Sequence, residues 1–133
     1  MGFNIVLVEP EIPTNTGNIG RLSLASGSAL HLVKPFGFEL HDKHLKRAGL
    51  DYWKHISINI YENIEDFYLK NKDVNMVYFS SSATKNYTTI NFQDNMFFLF
   101  GKESVGLSKK ITVKNSDNLY KIPIYSKDVR SLN

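Results

Sequence analysis

The sequence predicts an α/β domain built on a mostly parallel sheet with helices on both faces. Three observations predict it. Four short runs are apolar without polar alternation, FNIVLV (3–8), ALHLV (29–33), NMVYFS (75–80) and MFFLF (96–100); strands covered on both faces read this way. Segments with helical spacing or helix end signals separate these runs, and strands alternating with helices imply parallel crossovers. The chain has 133 residues, 42% apolar and 22% charged, which suits one core and one domain over 1–133.

FNIVLV opens the sheet, and a Pro- and Gly-rich loop follows, EPEIPTNTGN (9–18). IGRLSLAS (19–26) reads as a helix, with Ile19 and Leu22 at helical spacing and Gly27 as its C-cap. ALHLV is the second strand and KPFGF a turn. HDKHLKRAGL (41–50) reads as a short helix, with Asp42 near its start and Gly49 as its stop. ENIEDFYLKNK (62–72) is an amphipathic helix whose acidic residues come first and lysines last, matching the helix dipole. After the strands at 75–80 and 96–100, SVGLSKKI (104–111) reads as a brief helix and LYKIPI (119–124) as a fifth strand. The four unbroken runs are too apolar for an exposed edge. There is no internal repeat, low-complexity tract or linker.

Composition excludes several function classes. There is no cysteine, hence no disulfide framework, thiolate metal site or cysteine nucleophile, and this fits a reducing, cytoplasmic setting. No apolar run approaches the roughly 20 residues of a membrane helix, and MGFNIVLVEP enters a strand with no basic leader, unlike a signal peptide. Net charge is +3, unevenly spread. Residues 1–101 carry nine Lys/Arg against ten Asp/Glu. Residues 102–133 carry seven (Lys102, Lys109, Lys110, Lys114, Lys121, Lys127, Arg130) against three (Glu103, Asp117, Asp128). A second basic knot, Lys43, Lys46 and Arg47, stands beside His41 and His44. Clustered positive charge attracts polyanions, although a solvated surface has the same composition.

Three strings carry candidate chemistry. TNTGNIGR lacks the dinucleotide and P-loop fingerprints. Asn15, Thr16 and Asn18 are polar beyond the needs of a plain loop, though Asn15 or Thr16 also suits a helix cap. Arg21, one turn into the helix, suits a phosphate held at the helix start. FLFGKESVGL (98–107) puts Glu103 between two glycines at a strand's C-terminal end, where ligands sit in open α/β sheets; an ordinary turn with an exposed Glu103 is the simpler alternative. IPIYSKDVRSLN (122–133) gathers Arg130, Ser131 and Asn133. His41 and His44 have no third ligand nearby and read as surface or RNA-facing residues, so no metal is expected. No Ser-His-Asp or paired-carboxylate arrangement supports hydrolysis.

In this order the three strings resemble motifs 1, 2 and 3 of the SPOUT-class (α/β-knot) RNA 2'-O-ribose methyltransferases. KPFGFELHDKHLKRAGLDYW (34–53) narrows the resemblance to the short tRNA (cytidine(34)-2'-O)-methyltransferases. The resemblance covers residues 3–133 and implies a deep trefoil knot, an exception to the rule against threaded chains. It implies bent S-adenosylmethionine in the knotted loops, S-adenosylhomocysteine as product, no metal, and a homodimer with the active site at the subunit interface. By position it implies catalytic or substrate-side roles for Asn15, Arg21, Glu103, Ser131 and Asn133. It implies cofactor contacts from Phe79, Ser80, Gly101, Ile122, Ile124 and Ser131. Lys43, Lys46, Arg47 and Arg130 would grip the tRNA anticodon stem-loop through phosphates. Tyr52, Trp53 or Phe36 offer stacking surfaces for loop bases, with packing the simpler role for Trp53. In the family, motif 3 continues into a C-terminal helix beyond Asn133, so the expected domain is cut within that motif.

The expected reaction is methyl transfer to the 2'-hydroxyl of tRNA nucleotide 34, cytidine or uridine. Arginine hardly ever deprotonates in proteins, so phosphate binding and alkoxide stabilisation suit Arg21 better than a base role. Two alternatives stay open: the same chemistry at another tRNA or ribosomal RNA position, and an inert RNA-binding module on the same scaffold.

Overall fold

A computed structural model describes residues 2–41 and 43–129. Seven strands form one sheet in the order β3-β2-β1-β6-β4-β7-β5, every pairing parallel. In chain order these are β1 (Asn4–Val8), β2 (Ala29–Val33), β3 (Ile58–Tyr61), β4 (Met76–Phe79), β5 (Lys85–Asn86), β6 (Phe97–Phe100) and β7 (Leu119–Lys121). The helices are α1 (Pro13–Ser26), α2 (Lys43–Gly49), α3 (Ile64–Lys70) and α4 (Lys109–Lys114). The four unbroken apolar runs became β1, β2, β4 and β6, all interior, as their composition requires.

Side chains alternate across the sheet and divide the core by face. Val6, Val8, Val33, Tyr78, Phe97 and Leu99 pack with Phe67 of α3 and Ile111 of α4. Leu7, Leu30 and Leu32 point the other way, toward Ile19 and Leu24 of α1 and toward Trp53 and Ile56. On that second face Val77, Ile90 and Met96 pack with Phe3, Phe79 and Phe98.

Several elements differ from the sequence reading. The helix read as starting at Ile19 starts at Pro13, so TNTGN is helical instead of loop. Proline at the first helical position carries a preset φ and needs no donor there, which outweighs the poor propensities of Thr, Asn and Gly. β3 was not anticipated; it lies at the sheet's edge, with Asn59 and Ile60 exposed. β5 has only two residues, too few for a pattern. The expected fifth strand stops at Lys121 instead of running to Ile124. The brief helix read over 104–111 is displaced to Lys109–Lys114, where Ser108 accepts from the Ile111 N–H as N-cap. α2 ends at Gly49 as read, but a 3-10 turn, Leu50–His55, continues it. Asp42 lies outside the described residues.

His31 is the one buried histidine of the described chain, 5% exposed. Its Nδ1 lies 2.8 Å from the Tyr61 hydroxyl and its Nε2 2.9 Å from Asn4 Oδ1. The amide oxygen only accepts, so Nε2 carries the proton and Nδ1 accepts from Tyr61. Asn71 Nδ2 donates to Tyr61 in turn, at 3.2 Å, and Asn4 Nδ2 donates to the Asn95 carbonyl. Burial pushes the imidazole pKa down to about 4.

Candidate active site at the carboxyl ends of the strands

The strand order sets adjacent the ends of β2, β1, β6, β4 and β7, which is the ligand edge of an open parallel sheet. The loops leaving β1 and β6 meet there. Glu103 Oε2 accepts from the Glu11 N–H at 2.8 Å, and Glu11 Oε1 accepts from the Ser104 N–H at 2.8 Å. Lys102 Nζ stands 3.2 Å from Glu9 Oε1. The Ser104 N–H holds the Glu11 carboxyl below the usual carboxylate range.

Glycines allow this closeness. The loop after β6 doubles back through a bridge between Lys102 and Gly106. A Cβ on Gly101 would lie 2.1 Å from the Gly106 carbonyl carbon and the Leu107 nitrogen. Gly106 turns the chain at φ +72, in the left-handed region, and Leu107 then enters the core. On the other side of the β1 loop, a Cβ on Gly37 would meet the Glu11 carbonyl oxygen at 2.7 Å, and the Gly37 N–H donates to Pro10 O at 2.9 Å. The Lys34–Pro35 peptide is cis.

The expected site residues are distributed as follows. Asn15 is half-buried in the first turn of α1. The helix N-cap is Ile12, without a side-chain bond, so neither Asn15 nor Thr16 caps it, contrary to that reading. Thr16 is fully buried, and its Oγ1 is the buried side-chain polar atom without a partner among the described residues. Arg21 is exposed, about 9 Å along the helix axis from Asn15. Its guanidinium lies over the Tyr52 ring, 5.3 Å from the centroid. Gly20 makes room for this arrangement, because a Cβ there would press Trp53 and Ile56, each at 3.0 Å. Trp53 therefore packs, as the simpler reading held, and so does Phe36.

Phe79 and Ser80 leave β4, Gly101 leaves β6, and Ile122 and Ile124 follow β7. These three strands are neighbours in the order β6-β4-β7, so the expected cofactor contacts converge on one stretch of the ligand edge. Phe79 stacks on Phe100 with centroids 4.7 Å apart, the Ser80 N–H donates to Tyr120 O, and Ile122 is 42% exposed. Residues 122–126 lie in neither helix nor strand. An apolar floor beside backbone not engaged in the sheet fits an adenine nucleoside.

Lys43 and Arg47 are exposed on α2, which also carries Lys46, and α2 packs on α1. Lys109, Lys110, Lys114 and Lys127 are exposed, whereas Lys102 is paired with Glu9. His41 Nε2 lies 2.6 Å from Glu39. Among the described residues no cluster of three or more acidic or histidine side chains is placed to hold a metal, and no helix is long and apolar enough to cross a membrane. Arg130, Ser131 and Asn133 lie outside the described residues.

The sequence profile of the SpoU rRNA Methylase family matches residues 2–133. The chain belongs to the SpoU rRNA methylase family. A Geobacillus stearothermophilus relative, a candidate tRNA (cytidine(34)-2'-O)-methyltransferase, is 41% identical over 136 residues, which is 100% of this chain and 86% of that protein. A solved structure reported for the 2-OH methylation of C/U34 on tRNA superposes with a TM-score of 0.93 at 36% identity, covering 98% of this chain and 85% of that one. An AdoMet-bound rRNA methyltransferase from Sinorhizobium meliloti gives 0.86 at 25% identity, over 99% of this chain and 51% of that one. The parallel sheet and its helices are thus those of SpoU methyltransferases.

Glu11, Gly20 and Gly37 escaped the sequence reading. Glu11 stands within motif 1, but its partner Ser104 is remote in sequence, and no local pattern announces the pairing.

Proposed function

We propose that this chain transfers the methyl group of S-adenosylmethionine to the 2'-hydroxyl of the wobble nucleotide, C34 or U34, of tRNA. The observation that carries this reading is the junction of the β1 and β6 loops beside the strand ends expected to hold the cofactor. When bound, S-adenosylmethionine supplies a sulfonium-activated methyl group. Methyl transfer needs an in-line approach, loss of the hydroxyl proton and stabilisation of growing negative charge on oxygen. Phe79, Ser80, Gly101, Ile122 and Ile124 would hold the cofactor, together with Ser131. Arg21 would bind the neighbouring phosphate and stabilise the developing alkoxide; Asn15, Ser131 and Asn133 would orient the nucleotide.

Residues 1–133 would form one knotted methyltransferase domain, acting in the cytoplasm as a homodimer. Exposed Ile12, Leu22 and Val105 supply apolar surface for a second subunit. Lys43, Lys46, Arg47 and Arg130 engage phosphates of the anticodon stem-loop. Titrating the full-length protein with S-adenosylmethionine in a calorimeter, then incubating both with tRNA and mapping ribose methylation, tests the proposal. Binding heat and a methyl group at nucleotide 34 are expected. No heat would indicate an inert module, and methylation elsewhere a different RNA substrate.

A further inference from the structure

We propose that Glu11 is a positioning residue for methyl transfer, closing with Glu103 a reciprocal latch that sets the start of α1 against the β6 loop. This rests on the methyltransferase reading above. Each carboxylate accepts the backbone N–H supplied by the opposite loop, Glu103 from Glu11 and Glu11 from Ser104, both at 2.8 Å. Charge-assisted bonds of this kind are stronger than neutral ones, and the two close a ring between segments about ninety residues apart in sequence. The Lys102–Glu9 pair is a third tie between the same loops. Gly37 also lies close to the Glu11 backbone, where a Cβ would come within 2.7 Å of the carbonyl oxygen, so the residue is bonded at its N–H and carboxylate and closely packed at its main chain.

What the latch sets is the helix. Pro13, two residues after Glu11, opens α1, and Arg21 stands about 12 Å further along that rod. A shift at Glu11 therefore moves Arg21 relative to Gly101 and the cofactor edge. Both loops leave adjacent strands, β1 and β6, so the sheet supplies a rigid base and the latch fixes what lies above it. Glu103, read from sequence as a catalytic candidate, uses one carboxylate oxygen in this latch.

The test is a double-mutant cycle in the full-length protein, with Glu11→Ala, Glu103→Ala, their combination, and Glu11→Gln. Glutamine keeps an acceptor oxygen for the Ser104 N–H but removes the charge. Misplacing reacting groups by an ångström costs up to about a hundredfold in rate. At saturating S-adenosylmethionine and tRNA, Glu11→Ala is expected to lower kcat by about tenfold to a hundredfold. Glu11→Gln should restore most of that loss. The double variant should be no slower than the slower single one, because both substitutions open one latch. Amide hydrogen exchange at Ser104 should speed up in Glu11→Ala with the sheet amides unchanged, which separates the latch from general unfolding.

Unchanged kcat in Glu11→Ala overturns the proposal, as do losses that multiply in the double variant or a Gln variant as slow as Ala. If the unsubstituted protein methylates no tRNA, the functional reading fails instead. The latch is then judged on Ser104 exchange, where protection unchanged in Glu11→Ala overturns it and faster exchange supports it.

Discussion

Arg21 and Tyr52 form a pair whose separation assigns each a task. A guanidinium over an aromatic face gains roughly 0.5–1 kcal/mol at an exposed site, enough to bias its orientation while leaving it reachable by a phosphate. Arg21→Ala should abolish methyl transfer in a radiometric assay while leaving S-adenosylmethionine affinity within about threefold by calorimetry; full activity in that variant would remove Arg21 from the centre. Tyr52→Phe keeps the ring face and should keep kcat, whereas Tyr52→Ala should lower it. His31 couples stability to pH. Its folded pKa of about 4 lies below the ordinary 6.5, so between those values the unfolded chain binds a proton that the folded chain does not. Stability should therefore fall as pH drops from about 6.5 to about 4, by at most about 1.4 kcal/mol per pH unit, and the His31 contribution should level off below that. Thermal unfolding of wild type and His31→Gln across this range checks it. The variant should show the shallower slope, and parallel curves would contradict the burial argument.

At the scale of elements, the loops at the carboxyl edge depend on backbone contacts that a single methyl group would break. Gly101→Ala would place Cβ 2.1 Å from the returning chain, and no side-chain adjustment relieves a backbone clash. The expected outcome is loss of cofactor binding and a lowered melting temperature. Gly27→Ala meets open space but sits at φ +70, so it should cost only about 1 kcal/mol, with binding retained. Calorimetry and melting curves on the two variants separate the cases. Elements with long, unbroken patterns are the ones the sequence reveals. β1, β2, β4 and β6 were plain because each is an apolar run buried on both faces. The start of α1 was obscured because Thr14, Asn15, Gly17 and Asn18 are weak helix formers, and one proline decided the matter. β5 and β3 are short or exposed and are made by pairing to neighbours, a tertiary effect that local pattern does not encode.

For the whole molecule, the order β3-β2-β1-β6-β4-β7-β5 brings the ends of strands distant in sequence to one edge of the sheet. β1 sits beside β6, which brings motif 1 to motif 2, and β7 joins β4 two strands away. In sequence only Asn15, Thr16 and Asn18 exceed what a plain loop needs; the other two strings were legible as motifs through their order and the family resemblance. Their contacts were not, because Glu11 and Glu103 meet only through the crossover topology. The basic residues also needed the structure. Lys102 counts toward the positive charge of residues 102–133, yet it pairs with Glu9 and leaves Lys109, Lys110, Lys114 and Lys127 exposed among the described residues. Ribose-methylation mapping by mass spectrometry of tRNA from a strain lacking this gene, beside its parent, tests the central claim most directly. Loss of the 2'-O-methyl group at nucleotide 34 alone, restored by the wild-type gene but not by one encoding Arg21→Ala, is the predicted result. An unchanged methylation map would contradict the account.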